Sequence, residues 1–336
     1  MITIKDIARV AGVSHTTVSR ALNGSPLIKK VTRDKIEKIA AEMNYVPNYS
    51  AKSLVTKRSF TIGLFFSSIE QGTSASFLVD AIKGISHILD ENFNLTVNGI
   101  DGVHNFGNIQ PQRFDGILVM SQSDEDNAFI YHVKKMGIPL VVLNRQLEDP
   151  GIMNVVANDR EGVKEAVDYA VLKGHRKFAI IEGKPGFKSS SERKQGFMDS
   201  LIAHRLPLNS DYFAAGDYSI ESGYAAMAAL LLLEDPPTAV FCSNDDMAIG
   251  AMNACYAHKA DVPGRISLIG FDDIMFARYT NPALTTVRKP ITEISELGTK
   301  MLVQLLQQPE TKPQQLFVKT ALVARQTVAE TQQAGS

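Results

Sequence analysis

From Thr61 onward the chain alternates short apolar runs with segments of helical period. TIGLFF, DGILVM, IPLVVLN, KFAIIEG, TAVFCS and ISLIGF are strand-sized and largely apolar, as parallel strands are when helices cover both faces of their sheet. The intervening helices are expected at about 76–91, 125–136, 160–173, 191–204, 219–233 and 246–258. That is enough for two doubly wound lobes joined near NVVAND. Residues 283–330, with a helix at 291–307 and the strand-like TALVARQTV, would cross back between lobes. The first lobe then takes about 61–158 and 290–318, the second about 159–289 and 319–330. Open sheets of this kind bind ligands at the carboxyl ends of their strands, and two facing lobes form a cleft that can close.

Polar residues collect at those strand ends. LNR puts Asn144 and Arg145 after one strand, CSND puts Asn244 and Asp245 after another, and GFDD puts Asp272 and Asp273 after a third. Side chains leaving separate buried strands converge in space, which makes them candidates for binding. Asn and Asp also end ordinary strands for their turn chemistry, so position alone does not separate ligand contact from turn.

The first 58 residues are of another kind. They carry eleven Lys or Arg against four Asp or Glu, a balance of +7, and leave 24 bases and 32 acids, or −8, for the rest. A basic terminal unit suits a polyanion, because each base that neutralises a phosphate releases counterions. Periodicity argues for a folded unit. Ile4, Ile7, Ala8 and Ala11 follow helical spacing, with Thr3 as N-cap and Asp6 three residues on. Gly12 ends that helix and Ser14 caps a second, which buries Val18, Ala21 and Leu22 and turns His15, Thr16, Thr17, Ser19 and Arg20 outward or to its shoulders. A third helix is expected from Thr32, burying Ile36, Ile39, Ala40 and Met43 and stopping before Pro47. Three short helices with a tight Gly-containing turn form a helix-turn-helix, whose second helix enters the major groove. Short hydroxyls and one His allow close approach to phosphate where acidic side chains would repel it, and Arg20 can bond phosphate or guanine.

No apolar run approaches the length needed to span a bilayer, and MITIKDIARV carries charges where a signal peptide is apolar. A cytoplasmic protein without membrane association is expected. Cys242 and Cys255 lack metal-type spacing and read as reduced, buried thiols. GKPGFKSS separates Gly186 from Lys188, unlike a phosphate loop, and the seven His show no metal spacing. No catalysis, metal or cofactor is expected. An enzyme, or an exported solute-binding protein with the same two-lobed plan, would leave the basic terminal unit unexplained.

TIKDIARVAGVSHTTVSRALNGS, YVPNYSAKSL and TIGLF resemble the start of a LacI/GalR-family transcriptional repressor. The resemblance implies an all-α helix-turn-helix domain at 1–46, a hinge helix and linker at 47–60, and a two-lobed α/β effector domain of periplasmic-binding-protein type at 61–330. NYSAKSL matches the family's hinge helix, in which Leu54 would enter the minor groove with Ala51 one turn before it. A two-turn helix is unstable alone, so its ordering could be coupled to DNA binding, and an apolar wedge kinks a base step. The candidate DNA-contacting set is Thr3, Ser14, His15, Thr16, Thr17, Arg20, Asn23, Asn48, Ala51, Lys52 and Leu54.

In the large domain SSERKQGF resembles the segment carrying the ligand arginine, here Arg193. CSNDDMAIGAM implicates Asn244, ISLIGFDD implicates Asp272, and GDYSIESGY places Tyr218 as a stacking aromatic. Phe77 and Leu78 align with apolar pocket residues of the first lobe, and Asn144 completes the candidate set. Hydroxyl-binding polar groups beside flat apolar faces suit a sugar or sugar derivative, although a purine could use the same inventory and control by a partner protein stays open. The expected assembly is a homodimer on a pseudo-palindromic operator. One departure stands out: IDGVHNFGNIQPQR occupies the place of a further amphipathic helix, so the first lobe is expected to be trimmed there, which puts in doubt the dimer contacts that helix would help form.

Overall fold

The structure is a computed structural model that describes residues 2–22, 25–45, 58–70 and 72–331. The chain divides into two compact units, Met1–Arg58 and Ser59–Ser336. The first holds α1 (Ile4–Ala11), α2 (His15–Leu22) and α3 (Lys30–Glu42). The Thr3 amide donates to Asp6 Oδ2 at 3.0 Å, and Gly12 adopts the left-handed conformation that ends α1. Ser14 Oγ accepts from the Thr17 amide at 3.1 Å and so caps α2. Ile7, Ala8, Ala11, Val18, Ala21, Ile36 and Ala40 fill the core between the three helices. The third helix begins two residues before the expected Thr32, because the Thr32 amide already bonds the Lys29 carbonyl at 3.0 Å.

The second unit contains two six-stranded sheets. In chain order the first lobe has β1 (Thr61–Phe66), α4 (Ala75–Ile88), β2 (Asn94–Gly99), β3 (Gly116–Met120), α5 (Asn127–Lys135), β4 (Leu140–Leu143) and β5 (Met153–Ala157). The second has α6 (Asp159–Leu172), β6 (Phe178–Ile181), α7 (Lys188–Ala203), β7 (Phe213–Ala214), α8 (Ile220–Leu231), β8 (Ala239–Cys242), α9 (Asp245–Ala257), β9 (Ser267–Asp272) and β10 (Thr285–Arg288). Then come α10 (Ile291–Gln307), which packs on α4, β11 (Gln315–Val318) and β12 (Ala321–Val323). The sheets run β2-β1-β3-β4-β5-β11 and β7-β6-β8-β9-β10-β12, all parallel except the β10–β12 pair. Each is clothed on both faces by apolar clusters under its helices. TALVARQTV contributes only the three residues of β12 as strand. The chain passes between sheets at Asn158, at Lys289–Pro290 and at Lys319–Thr320.

Between β2 and β3 the described residues hold a single 3-10 turn, Phe106–Asn108, and no α-helix. Phe106 packs against Phe129 with ring centroids 5.7 Å apart and Ile109 is buried, so a few side chains cover the face that a helix would cover. No helix among the described residues is long and apolar enough to cross a membrane.

The helix pairs of the second lobe approach closely. A Cβ on Gly250 of α9 would lie 2.0 Å from the Ile220 carbonyl oxygen, and one on Gly223 of α8 would lie 2.2 Å from that of Met247. Backbone cannot rotate aside as a side chain can. Gly250→Val should therefore lower unfolding free energy by about 1–3 kcal/mol or more, read as an earlier urea midpoint at unchanged slope.

Candidate functional site

The cleft lies at the carboxyl ends of both sheets, where doubly wound order reverses across β1 and β3 in one lobe and β6 and β8 in the other. Its centre is lined by Gly72, Ser74, Phe77, Gln122 and Asn144 from the first lobe. Ser189, Arg193, Tyr218, Asn244 and Asp272 face them from the second, and Lys289 enters from a crossing segment.

Arg193 is on the second turn of α7 and fully enclosed. Its Nε donates to Asp159 Oδ2 at 3.0 Å, its Nη2 to Asp272 Oδ1 at 3.3 Å, and its Nη1 to the Ser243 carbonyl. The guanidinium lies 3.8 Å over the Phe271 ring and 5.8 Å from the Tyr218 ring. Burial alone would lower its pKa, but Asp159 and Asp272 beside it hold it above the ordinary range. Burial drives Asp272 the other way, up to about 6, against the pull of Arg193 and Lys289. Lys289 donates to the same Asp159 Oδ2 at 2.9 Å, and burial lowers its pKa in spite of that partner. Two cations thus share one carboxylate oxygen in a site from which water is largely excluded.

The remaining second-lobe groups are held by backbone. Asn244 caps α9 by accepting from the Met247 amide at 2.9 Å, while its Nδ2 donates to the Tyr218 carbonyl at 3.0 Å. Tyr218 pairs its hydroxyl with Ser189 at 3.0 Å. Asn144, Tyr218 and Asp272 all have positive φ, at 73°, 77° and 109°. Such conformations cost of order 1–3 kcal/mol each in non-glycine residues, and they cluster where side chains are aimed at ligands.

Most of the expected ligand residues therefore meet here, with one exception. Leu78 does not line the cleft; it is half-buried against the first-lobe core, because a helix turns consecutive residues by about a quarter circle and Phe77 takes the inward position. Arg145 is buried but points away, to Ser121 Oγ at 2.7 Å and to Asp124 and Asn127. Asp273 pairs with Arg288 and Arg325. Asp245 is enclosed beneath the sheet, accepting from Ile274 and Thr286, and burial pushes its carboxyl well above its usual range. Asp159, Ser189, Phe271, Gln122 and Lys289 belong to the site and carry no motif that singled them out.

On the small unit, His15, Thr16 and Arg20 are exposed along α2, which contains no acid. Thr3 and Ser14 are exposed at helix starts, and the half-buried Thr17 shares a hydroxyl contact of 2.9 Å with Ser14. Asn23, Asn48, Ala51, Lys52 and Leu54 lie outside the described residues.

Residues 3–48 match the family model described as bacterial regulatory proteins, lacI family, and residues 167–328 match that of a periplasmic binding protein-like domain. The probable HTH-type transcriptional repressor ExuR of Bacillus subtilis (strain 168) is 54% identical over 328 residues, 98% of each chain. The chain belongs to the lacI family. Among solved structures, the lac repressor dimer bound to operator and the anti-inducer ONPF superposes with TM-score 0.83 at 26% identity, covering 98% of this chain and 99% of that one. The CelR–cellobiose complex superposes with TM-score 0.74 at 27% identity, covering 97% and 100%. This lacI-family member is a transcriptional repressor whose DNA binding is effector-controlled, and it is not an enzyme.

The raised Asp272 pKa has a defined thermodynamic sign. The folded state holds this proton more tightly than the unfolded chain, so the linked stability is present below about pH 4 and is lost as pH rises to about 6. Asp272→Asn should remove that loss. Urea midpoints from pH 4 to 7 should show wild type falling relative to the variant, and parallel profiles would place the carboxyl at an ordinary pKa.

Proposed function

We propose that the protein is a homodimeric repressor that reads a pseudo-palindromic operator and is switched by a sugar or sugar derivative bound in the cleft. His15, Thr16 and Arg20 meet base edges, while Thr3, Ser14 and Thr17 position the helix on phosphates. Asn23, Asn48, Ala51 and Lys52 supply further DNA contacts, and Leu54 is the minor-groove wedge. Such a regulator works in the cytoplasm, associated with the nucleoid.

One observation supports the effector reading above the rest. Arg193 and Asp272 present donors and acceptors side by side between the Phe271 and Tyr218 rings, with Phe77 across the cleft. A sugar has this same division, hydroxyls at its rim and C–H groups on its face. Its neighbours support the class: the solved CelR structure is a cellobiose complex.

The central space measures about 30 Å³, room for about two waters. The lobes are bridged beside it by the Lys188 amide donating to the Gln122 carbonyl at 2.8 Å. A sugar must therefore shift the lobes to enter, and its differential affinity for the two lobe arrangements is what changes operator affinity.

The test begins with selection of bound duplexes from a random pool, followed by fluorescence anisotropy with and without sugars identified by thermal shift. Asp272→Asn and Arg193→Lys should each weaken effector affinity by about tenfold or more and leave operator affinity without effector little changed. An intact response in both variants would move the effector elsewhere. Thr16→Ala should alter base preference at one operator position by about 1–3 kcal/mol; a uniform loss over all sequences would assign Thr16 to phosphate contact.

A further inference from the structure

The large unit begins at Ser59, and the chain from the three-helix unit enters it through Arg58. The pairing of β1 with β3 starts further in, at Ile62 opposite Gly116. Backbone bonds reach back to Phe60, whose carbonyl accepts from the Asn94 amide at 2.7 Å, while the Asp115 amide donates to the Thr61 carbonyl at 2.9 Å. From there a side chain takes over. Asp115 Oδ1 accepts from the Ser59 amide at 2.6 Å and from the Ser59 hydroxyl at 2.9 Å, and its Oδ2 accepts from the Phe60 amide at 3.2 Å. Ser59 Oγ accepts in turn from the Thr61 amide at 3.2 Å, and Thr61 Oγ1 donates to the Ser59 carbonyl at 3.2 Å. A carboxylate offers acceptors alone, which suits three converging donors.

Phe60 is the sign that this contact does more than finish a strand. Its φ is +51°, a left-handed conformation for a bulky aromatic, and its ring is buried beside Phe93 with centroids 6.3 Å apart. A residue of this kind persists only where its surroundings over-determine it. Its carbonyl is fixed by β2 and its amide by Asp115, so the torsion between them is held from both ends. Rotation about that bond swings everything that precedes it. The direction in which the chain leaves the first lobe is therefore set at Asp115.

We infer that Asp115 is a positioning residue for operator binding: it clamps the root of the linker to the first lobe and thereby sets the half-site spacing that the paired helix-turn-helix units accept. The inference rests on the paired-operator reading above. In a dimer the second half-site is engaged at an effective concentration fixed by the reach of the tether. Without the clamp, Ser59 and Phe60 join the tether and add about 7 Å of extended chain, or about two base-pair steps. The exit direction is freed at the same time. Each half-site is still read by the other unit, so loss of the clamp broadens the accepted spacing and leaves recognition of a single half-site intact.

The experiment uses the full chain and the operator recovered from the random pool, with its centre lengthened or shortened by one and two base pairs. Fluorescence anisotropy compares wild type, Asp115→Ala, Asp115→Asn, Ser59→Ala and, as a control for stability alone, Phe197→Leu in the second-lobe core. Wild type should lose about tenfold or more in affinity at two base pairs from its optimum, and Asp115→Ala about threefold or less. Asp115→Asn keeps one acceptor for Ser59 and Ser59→Ala removes only the hydroxyl, so both should fall between. Ser59→Ala carries the test if Asp115→Ala does not fold. Wild-type spacing penalties in the Asp115 and Ser59 variants overturn the clamp. A flattening that Phe197→Leu reproduces overturns it too, because destabilisation alone would then be the cause. Wild type that binds a lone half-site as tightly as the pair removes the paired-operator reading and the spacing role with it, whereas spacing-sensitive wild type beside unchanged variants removes the clamp alone.

Discussion

The large unit depends on one shared carboxylate. Asp159 lies where the chain first leaves the first lobe and Lys289 where it next crosses, so their ion pair at 2.9 Å ties two crossing segments directly. The third crossing joins the first through Thr320 Oγ1, which donates to the Asn158 carbonyl at 3.1 Å. Arg193 takes the same Asp159 oxygen and carries the network on to Asp272 at the end of β9. Asp159, Arg193 and Lys289 are enclosed, and each of these three charges is tolerable only while its partners are present. Removing one leaves an uncompensated buried charge, which costs about 3–5 kcal/mol. The effector site and the hinge are therefore one electrostatic object, and a ligand that rearranges the cleft acts on the crossings as well.

The lobes are also joined at the front of the cleft. Ser123 and Phe187 form an antiparallel bridge across it, and the Phe187 ring lies against Gly72, where a Cβ would come within 2.9 Å. Gly72 has φ of +78°, so its backbone requirement and its close approach both call for glycine. Phe187 stacks in turn near Tyr218, at 6.1 Å between centroids, and Tyr218 bonds Ser189. A ligand that enters between Phe77 and Tyr218 must displace or accommodate this contact. Closure at the front and charge at the back give the cleft two ends of different chemistry, apolar and ionic.

How much of this was legible before the structure follows from what each signal measures. Alternating apolar runs report burial on both faces, and they located both sheets because a parallel strand has no exposed face to confuse the pattern. Caps at Thr3 and Ser14 were legible because they are local, completed within three residues. Asp159 was not, since an acid in the first turn of a helix is ordinary dipole chemistry. Lys289 follows Arg288 and precedes Pro290, and such a basic pair reads as solvated. Only the strand pleat separates them: Arg288 is exposed beside Asp273, while Lys289 turns inward. Arg145 shows the converse. It stands at a strand end, as a ligand residue would, yet the turn that follows β4 sends it into a first-lobe network. Strand ends specify where a side chain starts, and φ at the next residue decides where it goes.

Regulation demands more than affinity. A ligand shifts an equilibrium only by the difference between its affinities for the two states, so a contact made equally in both arrangements tightens binding without transmitting anything. Arg193, Asn244 and Asp272 all belong to one rigid lobe and keep their mutual geometry when that lobe moves. Their contribution to switching is thus small compared with their contribution to binding. Groups from the other lobe, namely Phe77 and Asn144, change distance from that lobe as the cleft opens. The ligand atoms that reach these two decide whether the complex favours the operator-binding state. Two sugars of equal affinity can therefore differ in effect: one that bonds the second lobe alone shifts nothing, whereas one that spans to Asn144 biases the equilibrium.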